Sequence, residues 1–154
     1  MLKALYDYGI RNHLTIPPGF LKKNIREYIC LSDSGRFLGI EQCGKEETQI
    51  CPDIGSLANS PDKCNPLAEK ESVVLGKPGK KSDYFRMLLK EGSACADRLR
   101  VCLSALEDEA VLVQMRREAE LRKLKPSDRI SFRVDDVPVT SDAQAQQWWT
   151  EYRK

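Results

Sequence analysis

The chain has 154 residues, 41% of them hydrophobic, which is enough to build one domain around a core without disulfide or metal staples. Lys+Arg 25 against Asp+Glu 23 leave a formal charge of +2. That excludes a globally basic nucleic-acid binder, so any contact with a polyanion has to come from a local patch. No run is long and apolar enough to span a bilayer, and MLKALYDYGI lacks the basic-then-apolar layout of a secretion signal. A cytoplasmic protein is expected.

In chain order, Leu2, Leu5, Tyr6 and Ile10 form a helical stripe that Gly9 and Pro17-Pro18-Gly19 bring to an end. IREYICL and RFLGIEQC, joined by Ser32-Asp33-Ser34-Gly35, read as a β-hairpin. From Gly44 to Lys70 the pattern is loop, with a short strand at Thr48 to Cys51, and a further strand is expected at Ser72 to Leu75, closed by Gly76. The second half turns helical: Tyr84, Met87 and Leu88, then Cys95, Leu99, Cys102, Leu103 and Leu106, then Glu109 to Lys123 before Pro126. Ile130, Phe132 and Val134 alternate with polar residues, Asp135-Asp136 turns the chain, and Val137 to Val139 return as an edge ribbon. Ser141 with Gln144 has capping-box spacing ahead of a face built from Ala145, Trp148, Trp149 and Tyr152. So aromatic a helix is expected to be covered by something further on. The sum is one α+β domain over 1–154, a small antiparallel sheet with helices packed on one side.

Chemistry is sparse. The single histidine, His13, stands beside a helix end, and no phosphate-cradling glycine loop, HExxH or nucleophile elbow occurs, so no catalytic residues are assigned and a non-enzymatic protein is expected. No cofactor is called for. The six cysteines lack a CxxC pair and read as free buried thiols, although Cys43, Cys51 and Cys64 in one loop-rich region are the set from which a zinc site would have to be assembled. In DKCNPLAEKESVVLGKPGKK, residues 62–81, lysines outnumber acidic residues, and the lysine cluster has glycines on both sides of its proline. Lysines of this kind neutralise phosphates without reading sequence, whereas an asparagine amide donates and accepts at a base edge.

Four stretches, in order along nearly the whole chain, resemble one family: MLKALYDYGIRNHLTIPPGF, YICLSDSGRFLGIEQC, NPLAEKESVVLG followed by a helix, and SFRVDDVPV. They are similar to the N-terminal region of the large subunit of type I-C CRISPR Cascade. Where that family carries an Asn-aromatic-Leu run, this chain has Asn65-Pro66-Leu67. The resemblance implies an N-terminal piece of a longer subunit. It also implies partners: the other Cascade subunits with their guide RNA, double-stranded target DNA at the protospacer-adjacent motif (PAM), and a helicase-nuclease recruited after target binding. In such systems guide pairing reads the target and protein reads the short flanking motif. The expected DNA-binding residues are Lys63, Asn65, Lys77, Lys80 and Lys81, with Asn65 entering a groove at the PAM and Lys77, Lys80 and Lys81 holding the flanking backbone. Two further readings stand beside this one: an adaptor that docks on the neighbouring RNA-end-binding subunit while DNA contacts lie elsewhere, and a stand-alone regulator that mimics the domain.

Overall fold

The computed structural model describes residues 18–42, 47–55, 64–77 and 79–153. The expected N-terminal helix, His13, Cys43 and Lys63 lie outside the described residues. The strands are β1 (Phe20–Ile25), β2 (Glu27–Leu31), β3 (Phe37–Glu41), β4 (Glu47–Pro52), β5 (Ala68–Lys70), β6 (Arg129–Val134) and β7 (Val137–Pro138). β1 and β4 make an antiparallel two-stranded ribbon, and the remaining five form one sheet in the order β3-β2-β6-β5, with β7 on β6.

β2 and β3 are the expected hairpin, and β4 covers the expected strand at Thr48 to Cys51. The hairpin turn closes through the Ser32 amide donating to the Arg36 carbonyl at 2.9 Å. Gly35 takes the positive φ of 89° that such a turn requires. Asp135 and Asp136 both have positive φ, 52° and 66°, the backbone of a tight two-residue hairpin turn. The α+β class holds, with one addition: β2 runs parallel to β6, Glu27 beside Ile130 through Leu31 beside Val134. A parallel pair needs a long crossover, and the helical middle of the chain supplies it.

The residues of β2 explain why this strand is central. Ile29 and Leu31 point into the large core shared with the helices, while Tyr28 and Cys30 join Ile25, Cys51 and Ala68 in a second cluster. Successive side chains alternate faces, so helices cover one face of the sheet and the β1–β4 ribbon covers the other. Each large side chain so buried contributes about 1.5–3 kcal/mol. The one carboxylate in the strand, Glu27, is buried but paired with Arg122.

The helices are α1 (Glu71–Val74), α2 (Lys80–Ser93), α3 (Asp97–Glu107), α4 (Glu109–Leu121) and α5 (Ala143–Tyr152). α1 stands where a strand was expected at Ser72 to Leu75. β5 pairs antiparallel with β6 only as far as Lys70 opposite Arg129, where β6 begins, so the chain beyond has no ladder to join. It coils instead, with the Leu75 amide donating to the Glu71 carbonyl at 2.9 Å and Val73, Val74 and Leu75 buried. In α2 the buried face is Ser82, Phe85, Leu88, Leu89 and Gly92, so Met87 turns outward. The cap of α5 is Asp142 rather than Ser141, its carboxylate accepting from the Ala145 amide at 2.9 Å. Gln144 caps a different helix, accepting from the Asp97 amide of α3 at 3.1 Å. Trp148 and Trp149 are 5% and 7% exposed, so these two rings are covered within the chain rather than by something further on, while Tyr152 stays 39% exposed. Among the described residues no helix is long and apolar enough to cross a membrane.

Candidate nucleic-acid interface

The stretch from Cys64 to Lys81 runs from the end of the loop after β4, through β5 and α1, into the first turn of α2. Its polar groups divide into those that build the loop and those that face outward. Asn65 builds the loop. Only 2% of it is exposed, and its Nδ2 donates to the Pro52 carbonyl at 2.7 Å while its Oδ1 accepts from the amides of Leu67 (3.0 Å) and Ala68 (3.3 Å). The Asn65 amide in turn donates to Glu69 Oε1 at 2.8 Å. This corrects the expectation that Asn65 offers its carboxamide to a base edge: the group is held inside, pinning the end of β4 to the start of β5. Pro66 and Leu67 beside it are buried as well.

Gly76 is also accounted for internally. A Cβ there would lie 1.9 Å from the Ser72 carbonyl oxygen, and the Gly76 carbonyl accepts from Arg116 Nη2 at 3.0 Å. Gly79 is not so constrained. It caps α2 with extended backbone and no side-chain partner.

The lysines face outward. Lys77 and Lys80 are exposed, and Lys81 lines a cleft of about 230 Å³ together with Lys23, Lys70 and Arg129. The cleft lies between the β1–β4 ribbon, β5, the start of β6 and the first turn of α2. Its carboxylates are Asp53 and Glu69. Glu69 is already engaged, accepting from the amides of Asn65 and Lys70 and lying 3.9 Å from Arg129. Arg129 is held in turn by its Nη1 donating to the Ala68 carbonyl at 2.8 Å. Among the described residues Lys23, Lys70, Lys77, Lys80 and Lys81 form no ion pair. Four cations, Lys23, Lys70, Lys81 and Arg129, thus meet at one opening against the two carboxylates Asp53 and Glu69.

Two thiols lie under this surface. Burial pushes Cys51 up to about 11, against the opposing pull of Arg129 and Lys23. Burial, and next the Glu69 carboxylate, push Cys64 up to about 12, opposed by Lys81. Both are protonated at neutral pH and therefore poor nucleophiles. The Cys64 thiol donates to the Lys81 carbonyl at 3.6 Å, tying the loop to α2. Among the described residues no three His, Cys, Asp or Glu side chains are grouped to hold a metal ion.

Lys77, Lys80 and Lys81 were legible in the sequence as a cluster. Lys23 and Arg129 were not, because they arrive from strands far away in the chain. The alternation of FLKKNI, with Lys23 half-buried beside buried Phe20 and Ile25, is the local signal that a lysine of β1 turns toward other elements. A comparison with models of known protein families and with curated proteins finds no match to this chain.

Proposed function

We propose that this chain is a non-enzymatic, DNA-interrogating domain of a type I-C CRISPR interference complex acting in the cytoplasm, and that its basic cleft holds target-duplex phosphates next to the PAM. Two things support the reading: the four ordered stretches that resemble the large subunit, and the convergence of Lys23, Lys70, Lys81 and Arg129 on one cleft, with Lys77 and Lys80 exposed in the chain just before Lys81. The convergence carries most weight, since Arg129 has internal partners in Ala68 and Glu69, whereas Lys23, Lys70 and Lys81 reach the same cleft from β1, β5 and α2 without an ion pair among the described residues. Cations so arranged position a backbone without reading bases. With Asn65 turned inward, the base contacts of PAM reading belong to other side chains. The partners in this reading are the other subunits with their guide RNA, the duplex, and the helicase-nuclease that follows.

The test is a gel-shift titration of the chain reassembled with the rest of the complex, against duplexes with and without the correct flanking motif. Lys80→Ala with Lys81→Ala is expected to weaken both duplexes alike. Unchanged binding to both would refute the cleft's role.

The adaptor reading has one observation in its favour. Leu38 is 61% exposed on β3, the edge strand of the main sheet. Leu38→Asp would then block reassembly, and the isolated parent chain would bind neither duplex.

A further inference from the structure

A second cavity, of about 320 Å³, adjoins the basic cleft and shares Asp53 and Ile54 with it. Its character is different. Tyr84 and Leu88 of α2 and Trp149 and Tyr152 of α5 line it, with Arg153 at one side. The Trp149 and Tyr152 rings lie near-parallel, 26° apart with centroids at 5.9 Å. The indole is fixed because its Nε1 donates to the Gly19 carbonyl at 2.8 Å. Tyr152 is the accessible ring of the pair, 39% exposed.

The volume falls at the small end of the range for ligand pockets, roughly 300–1,000 Å³. A flat aromatic group fits such walls, and the cations next door select one that is tied to phosphate. Proteins that hold single-stranded nucleic acid use this pairing of an electropositive track with aromatic rings on which bases stack. Asp53, on the wall common to both spaces, repels phosphate and so keeps the backbone on the lysine side. We propose that this cavity takes one unpaired nucleobase, stacked on Tyr152, from a strand whose phosphates lie on Lys23, Lys70 and Lys81. The inference rests on the nucleic-acid reading above and adds to it a preference for a strand with an unpaired base.

The probe is a short single-stranded DNA carrying 2-aminopurine, titrated into the full chain and followed by fluorescence and anisotropy, with the same strand made abasic at that position as its control. The 2-aminopurine is expected to be quenched on binding. The abasic strand, and separately Tyr152→Ala, are expected to bind on the order of tenfold more weakly, while Tyr152→Phe restores both affinity and quenching because the ring does the stacking. Equal melting temperatures of the variants and the parent establish that they are folded. Lys80→Ala with Lys81→Ala should weaken intact and abasic strands by the same factor. If that lysine pair matters but Tyr152→Ala changes neither affinity nor quenching, the base pocket is refuted and the cleft stands. If neither single strand nor duplex binds, both are refuted.

Discussion

Asn65 shows how one side chain reads differently in sequence and in space. As a letter beside lysines it offers a donor and an acceptor to a base. In the fold both are consumed by Pro52, Leu67 and Ala68. Asn65→Ala therefore leaves a buried carbonyl and two buried amides to find new partners, at about 1–3 kcal/mol for each group left unsatisfied. Partial relaxation makes a total loss of about 2–3 kcal/mol the expected outcome in urea unfolding, with PAM discrimination by the folded variant unchanged. Nothing local in NPLAEK distinguishes the inward asparagine from an outward one, because its partner Pro52 lies across a loop. The buried thiols give a second residue-scale prediction. Cys51 and Cys64 hold their protons in the fold up to about 11 and about 12, against the ordinary 9.0. The unfolded chain releases those protons as pH rises past the ordinary value and the folded chain does not. These thiols consequently leave stability unchanged well below that value and lower it as pH climbs toward 11. Urea midpoints measured across that window should fall less in Cys51→Ala than in the parent.

Among the elements, the hairpin, the helical succession and the Asp135-Asp136 turn were legible because each is decided by neighbours in the chain: turn residues, hydrophobic period and the start of a new run. The fate of ESVVL was not. Its β-branched residues favour a strand, but strand formation needs a partner, and β6 ends its ladder opposite Lys70. Tertiary context overrode propensity there. The N-cap of α5 is similar. Asp142 was one residue from the expected cap, and it does more than cap: Arg98 Nη1 donates to its Oδ1 at 2.9 Å, and Arg98 Nε reaches the Val134 carbonyl at 3.2 Å. The Asp142 carboxylate thus ties α3, the end of β6 and α5 together. Loss of a cap costs about 1 kcal/mol, and the ion pair adds only modestly because Arg98 is partly exposed. Asp142→Ala is expected to lower stability by about 2 kcal/mol, read as a shifted denaturant midpoint, whereas Asp142→Asn, which keeps the cap, should lose about half as much.

At the scale of the molecule, the α+β class was legible from composition and period, but the arrangement that makes the cleft was not. β2 and β6 are joined in parallel across the helical middle of the chain, the antiparallel β5–β6 pairing sets Arg129 opposite Lys70, and the β1–β4 ribbon brings Lys23 to the same cleft. The sequence offered the lysine-rich stretch only as a local run expected to hold phosphates. Only the topology turns it into one wall of an electropositive opening. A site of this kind has a thermodynamic signature that a decorated loop lacks, since each phosphate neutralised releases condensed counterions and steepens the salt dependence by about 0.9 for duplex DNA.

The most direct measurement is the affinity of the full chain for a duplex by fluorescence anisotropy over a series of salt concentrations, for the parent and for Lys23→Ala with Lys81→Ala. The cleft predicts that log K falls linearly with log salt in the parent and that the double substitution flattens the slope by about 2. A parent slope near zero, or an unchanged slope in the double variant, would contradict it.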